Sequence, residues 1–125
     1  MPRILYVEDD DDNVSLLRRR LTHAGFEVTV AMDGLEGVAS AISSPPDLIV
    51  MDLNLPLIDG WEATRRLRSR PETKRIPIIA LSGHALAEHR DKALAAGCDE
   101  FEAKPVDFEA LIAKIRAILG RSAEP

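Results

Sequence analysis

Cysteine is nearly absent: Cys98 stands alone in 125 residues. No intrachain disulfide can form and no multi-cysteine metal site can be built, which suits a reducing compartment and leaves Cys98 to read as a small buried hydrophobe. Aromatic side chains make up only 4%, so there is no platform for stacking bases and the core must rest on leucine, isoleucine, valine and alanine. No run approaches the roughly 20 apolar residues that span a bilayer, and no basic segment leads into an apolar stretch at the N-terminus. A cytoplasmic protein without membrane contact is expected. Positive charge is also short, with 16 Lys+Arg against 21 Asp+Glu and a net charge of −5. That balance disfavours direct binding to nucleic acid and favours a basic partner surface. The length suits one domain with one core.

What is present is an alternation. Ile4 to Val7 is a short apolar run, and Asp11 to His23 reads as a helix with Val14, Leu17 and Leu21 on one face and Gly25 as its stop. Phe26 to Ala31 is predicted as the second strand. A helix capped by Asp33 runs to Ile42 and ends before Ser43-Ser44-Pro45-Pro46; the third strand follows, from Asp47 to Met51. After Asp59-Gly60, Trp61, Thr64 and Leu67 recur at helical spacing, with Arg65, Arg66 and Arg68 as basic surface. Ile76 to Leu81 is the fourth strand, Ala85 to Ala96 the fourth helix, and Cys98 to Ala103 a polar fifth strand. Asp107 caps a last helix whose stripe is Phe108, Leu111, Ile112, Ile115 and Leu119. Five strands alternating with five helices predict an α/β fold, a doubly wound parallel sheet with right-handed crossovers. Residues 1–120 form the domain, and 121–125 a flexible tail.

Two of the apolar runs end in acid, the first in Glu8-Asp9 and the third in Asp52, while the fifth strand ends in Lys104-Pro105. In a parallel sheet these ends share the edge where open α/β sheets bind ligands. Carboxylates held together repel, and a hard divalent cation is the usual remedy; one Mg²⁺ together with Lys104 would neutralise the three acids. A carboxylate attacking phosphorus gives an acyl phosphate, which makes Asp52 the candidate nucleophile. The acidic run Asp9 to Asp12 is not an EF-hand loop, because Val14 occupies the required glycine position and Arg20 the required acid position. Asp11 and Asp12 read as a helix start favoured by the helix dipole.

Val7-Glu8-Asp9, Asp52 with Leu55-Pro56 and Asp59-Gly60, Ser82, and Lys104-Pro105 together resemble the receiver domain of two-component response regulators. The resemblance covers essentially the whole chain. It implies a flavodoxin-like sheet in the order 2-1-3-4-5. It also implies that Asp9 and Asp52 touch Mg²⁺ directly, with Glu8 acting through water and the backbone carbonyl of Asn54 as a further ligand. Asp52 would be the phosphoacceptor and Lys104 a cation for the phosphoryl oxygens. Ser82, where many members have threonine, would donate a hydroxyl hydrogen bond, and Phe101 matches the aromatic switch position. The Lys104-Pro105 bond would be cis. A histidine kinase or phosphotransfer protein would be the donor, docking on Asn13, Leu16 and Pro105, with Leu16 facing solvent on the first helix.

The reading is a stand-alone receiver, most similar to those of the cell-division regulator (DivK-like) kind. It would be a phosphoacceptor switch rather than an enzyme, acting only in its own phosphorylation and dephosphorylation. Because the chain stops soon after the fifth helix, its output is expected through contacts with an unidentified downstream protein. His84 reads as a loop residue tuning access of water to the acyl phosphate, and His23 and His89 as helix-surface residues. Two rivals stand beside this reading. A haloacid-dehalogenase-type phosphohydrolase would place a second aspartate two residues after the nucleophile, where this chain has Asn54. A binding-only pseudo-receiver would lack part of the acidic and basic set.

Overall fold

Aspartate begins four of the helices. The carboxylates of Asp10, Asp33, Asp59 and Asp107 accept the backbone N–H three residues on, from Asn13 (3.0 Å), Glu36 (2.7 Å), Glu62 (2.8 Å) and Ala110 (3.1 Å). Each satisfies a donor that the first helical turn leaves without a partner, a contribution of about 1 kcal/mol apiece. The structure, a computed structural model, describes residues 1–83 and 87–123. Its elements are β1 Arg3–Val7, α1 Asp11–His23, β2 Glu27–Ala31, α2 Gly34–Ser43, β3 Leu48–Asp52, α3 Gly60–Arg68, β4 Ile78–Ser82, α4 Ala87–Ala96, β5 Glu100–Ala103 and α5 Phe108–Ala123. None of these helices is long and apolar enough to cross a membrane.

All strand pairs are parallel, in the order β2-β1-β3-β4-β5. β1, β3 and β4 are the inner strands, and β3 and β4 are buried along their whole length. Side-chain alternation sends Leu5, Val7, Ile49, Met51, Ile78 and Ala80 into one core with α2, α3 and α4. Ile4, Tyr6, Leu48, Val50, Ile79 and Leu81 enter the other, against Leu17 and Leu21 of α1 and Leu111 and Ile115 of α5. The apolar stripes read for α1 and α5 are the faces that these helices bury.

Several boundaries move for local reasons. β4 begins at Ile78 rather than Ile76, because Pro77 has no N–H for the ladder; its carbonyl still accepts from Ile49 at 2.9 Å. β5 begins at Glu100 rather than Cys98, since the Asp99 carboxylate, not a backbone carbonyl, accepts the N–H of Ile78 at 2.8 Å. β2 begins at Glu27, one residue after the buried Phe26. Helix α5 continues past Gly120 to Ala123, because one glycine weakens a helix by about 1 kcal/mol without removing its hydrogen bonds.

Arg68 is not the basic surface residue expected. Its guanidinium turns inward and donates to the carbonyls of Gly97 (2.9 Å), Lys74 (3.1 Å) and Ile76 (2.6 Å) and to the Asp99 carboxylate (2.9 Å). It thereby ties α3 to the entrances of β4 and β5. Cys98 is buried beside Thr64, 3.6 Å from its hydroxyl. His89 is half-buried against Trp61, with ring centroids 5.6 Å apart, rather than on the open helix surface. His84 lies outside the described residues.

Candidate active site

The strand ladder runs directly into the charged residues. The backbone N–H of Glu8 donates to Ala31, that of Leu53 to Leu81 and that of Lys104 to Ser82, at 3.0, 2.9 and 2.7 Å. These bonds join the end of β1 to β2 and the ends of β3 and β5 to β4, while the β1–β3 register sets Val7 opposite Met51. Helix α3 closes on this edge at Gly60. A side chain there would run into the carbonyl oxygen of Asp52 and come within 2.8 Å of Leu53 Cα, so the Asp59-Gly60 pair combines a helix cap with a close backbone approach.

Glu8, Asp9 and Asp52 meet, with one carboxylate oxygen from each lying within 4.8 Å of the others. Glu8 and Asp52 are buried, at 1% and 3% exposed, whereas Asp9 is open to solvent. Lys104 Nζ donates to Glu8 Oε1 at 2.8 Å and to Asp52 Oδ2 at 3.1 Å. The backbone N–H of Asn54 donates to Asp52 Oδ1 at 3.1 Å, and the Asn54 side chain is exposed. Ser82 ends β4 beside this group, almost fully buried. Phe101 pairs with Ala80 across β4 and β5 and packs against the α2-α3-α4 core. The Lys104-Pro105 peptide is cis.

The electrostatics report too much negative charge. Burial, then the hydrogen bond and charge of Glu8, push the Asp52 carboxyl up to about 7, against the opposing pull of Lys104 and the Asn54 N–H. Burial would also raise Glu8, but hydrogen bonds from Asp52, Lys104 and Tyr6 bring it below the ordinary carboxylate range. For Lys104, burial alone would lower its value; the bonds and charges of Glu8 and Asp52 more than reverse this, so the ammonium stays charged. One lysine does not neutralise three acids. Two buried carboxylates and one exposed carboxylate gathered this closely are a donor set that fits a hard, oxygen-seeking divalent cation.

Asn13, Leu16 and Pro105 all lie on the α1 side of this edge and are exposed, Leu16 by 49%. With Leu17, Lys104 and Phe108 they line a groove of about 150 Å³ between α1 and the segment after β5. Asn13 does more than sit near the edge, since its side-chain amide donates to Glu8 Oε1 at 3.4 Å. Tyr6 was legible only as part of an apolar strand, yet its hydroxyl donates to the same oxygen at 3.1 Å. The available signal was the two-residue spacing, which puts Tyr6 and Glu8 on one face of β1.

A parallel five-stranded sheet carrying two buried acids, an exposed acid and an inward-facing lysine on its carboxyl edge defines a phosphoacceptor-type signalling domain. Residues 4–116 match the response regulator receiver domain family, and the chain belongs to that family. Among its relatives, the DNA-binding dual master transcriptional regulator RpaA of Synechocystis is 38% identical over 98% of this chain, and the transcriptional regulatory protein CusR of Escherichia coli 40% identical over 97%. The chain spans about half of each, 51% and 52%. Among solved structures, the receiver domain of the sensor histidine kinase PA1611 from Pseudomonas aeruginosa superposes with a TM-score of 0.89 at 37% identity. That match covers 95% of this chain and 98% of the other, whose active-site cleft coordinates a magnesium ion. Phosphoacceptor signalling is the general role of the family.

Proposed function

We propose that Asp52 accepts a phosphoryl group from a phosphohistidine of a histidine kinase or phosphotransfer protein. The carrying observation is the Asp52 carboxylate itself, buried at a strand end yet flanked by Lys104 at 3.1 Å and by the Glu8-Asp9 pair. A carboxylate oxygen attacks phosphorus, the P–N bond to the donor imidazole breaks, and that nitrogen leaves with the electron pair. Asp9 and Asp52 would hold Mg²⁺ directly with the Asn54 carbonyl, and Glu8 would act through water. When bound, the ion offsets negative charge on the transferred oxygens. Lys104 moves from its carboxylate partners to a phosphoryl oxygen, Ser82 donates its hydroxyl to another, and Phe101 repacks as β4 shifts.

The donor docks on the exposed face made by Asn13, Leu16 and Pro105, where an apolar anchor surrounded by polar groups suits a helical surface. The signal leaves through a changed protein contact, in keeping with a net charge of −5, which gives nucleic acid no attraction. The protein works in the cytoplasm as a switch rather than as an enzyme with an exogenous substrate. Phosphorylation with acetyl phosphate and Mg²⁺, followed by borohydride reduction, should convert Asp52 to homoserine, read as a mass change on its peptide. Modification elsewhere, or multiple turnovers of an added phosphate ester, would overturn this reading.

A further inference from the structure

Glu8 Oε1 accepts three side-chain hydrogen bonds from described residues: from Lys104 Nζ at 2.8 Å, from the Tyr6 hydroxyl at 3.1 Å and from the Asn13 amide at 3.4 Å. Lys104 and Asn13 reach it from solvent-accessible positions; Tyr6 does not. Its ring is 1% exposed, packed in the core with Leu17, Leu81 and Leu111 on the α1-α5 side of the sheet. A phenylalanine would fill that space without burying a hydroxyl, which has to find an acceptor to offset its desolvation. The acceptor found is the buried acid of the phosphoacceptor cluster. Period-two alternation puts Tyr6 and Glu8 on the same face of β1, and the packing of α1 and α5 over the ring directs its hydroxyl to the carboxyl edge. Burial and the Glu8 charge keep the phenol protonated, so Tyr6 is always the donor.

We propose that Tyr6 is a positioning residue of the phosphoacceptor site: its hydroxyl fixes Glu8 Oε1 where Lys104 meets it, leaving the other carboxylate oxygen for Asp52 and the cation. The proposal rests on reading the site as Mg²⁺-dependent. Asn13 is exposed and Lys104 only partly buried, so both can swing away from Glu8, whereas a core-locked ring cannot, and Tyr6 supplies the reference point for the carboxylate. Partners that orient a ligand group contribute substantially to metal affinity without touching the ion.

The test is a double-mutant cycle between Tyr6→Phe and Glu8→Met, the latter keeping side-chain length while removing the acceptor. Calorimetric titration with Mg²⁺ should show Tyr6→Phe binding roughly tenfold more weakly than wild type, the low end of such orienting effects. In the Glu8→Met background, the same change should alter affinity by less than about twofold and raise the metal-free melting temperature, because the hydroxyl no longer has its partner. An equal loss of affinity in both backgrounds would make Tyr6 a packing residue, and unchanged Mg²⁺ binding by Tyr6→Phe would end the proposal. If wild type binds no Mg²⁺, the magnesium reading fails separately, and the metal-free melting cycle decides whether Tyr6 holds Glu8: destabilisation by Tyr6→Phe only when Glu8 is present sustains it, and equal destabilisation in both backgrounds refutes it.

Discussion

Lys104 Nζ and Asp52 Oδ2 lie 3.1 Å apart although 52 residues separate them in the chain. Neither residue is placed by its neighbours in sequence. The parallel register brings Asp52 opposite Leu81 and Ser82 opposite Ala103, so the ends of β3, β4 and β5 arrive together. The contact gives Asp52, a buried carboxylate at a strand end, both a cation and an acidic cluster beside it, and by resemblance to the receiver family Asp52 rather than Glu8 is the acceptor. Wild type should therefore be labelled by acetyl phosphate and Asp52→Asn should not. Stable labelling of that variant at Ser82 would transfer the acceptor role.

Proton and cation compete for Asp52. With its carboxyl raised to about 7 in the metal-free protein, apparent Mg²⁺ affinity should fall as pH drops below that value, by about tenfold per unit, because a protonated carboxyl is a poor ligand. Stability runs the other way. Between the ordinary carboxylate range and about 7 the folded chain holds a proton that the unfolded chain has released, so the Asp52 contribution to metal-free stability declines as pH rises through that window. Titrations from about pH 8 to about pH 6 with a constant affinity would show that Asp52 is ionised throughout.

Leu16, 49% exposed at the rim of the groove, should be dispensable for folding and important for the donor. Leu16→Asp should slow phosphotransfer from the cognate kinase by roughly tenfold. Labelling by acetyl phosphate should be unchanged, and stability should stay within about 0.5 kcal/mol. Equal loss with both donors would place Leu16 in the core or in the chemistry.

Leu57 occupies the left-handed region at φ 71° and is 73% exposed, in the loop between Asp52 and α3. A residue with a Cβ is strained there by about 1–2 kcal/mol, while glycine would add about 0.5–1 kcal/mol of chain entropy to the cost of folding. Leu57→Gly should therefore raise the urea midpoint slightly, and the β-branched Leu57→Val should lower it. The reverse ranking would mean that the exposed leucine contributes packing that outweighs the strain.

Phosphorylation should be felt around β4 and β5. Ser82 is buried beside Asp52, and Phe101 packs one layer away against the α2-α3-α4 core. Tightly packed side chains change between discrete arrangements rather than deforming gradually. Hydrogen exchange with and without a phosphoryl mimic should change in β4, β5 and the start of α4; changes confined to α2 would exclude this route.

Much of this protein is local and was therefore written in its sequence. Short bounded apolar runs gave most of the strands, helical spacing gave the buried faces of α1 and α5, and Asp33, Asp59 and Asp107 marked the starts of three helices. Glu8, Asp9 and Asp52 were visible because charge at the end of an apolar run has no role in the core, and Lys104 because it stands before Pro105 at a strand end. Other features depended on groups far apart in the chain. Arg68 looked like its exposed neighbours Arg65 and Arg66 until the fold brought Gly97 and Asp99 to it. The first residue of β5 was decided by the Asp99 carboxylate standing in for a carbonyl toward Ile78, 21 residues away, whereas that of β4 followed locally from Pro77, which has no N–H. Tyr6 belonged to an apolar run by composition, and only the packing of α1 and α5 over its ring turned its hydroxyl toward Glu8. Periodicity and capping are set by neighbouring residues, and so can be read from order alone. The partner of a long polar side chain is set by whichever element closes over it, which only the tertiary structure decides.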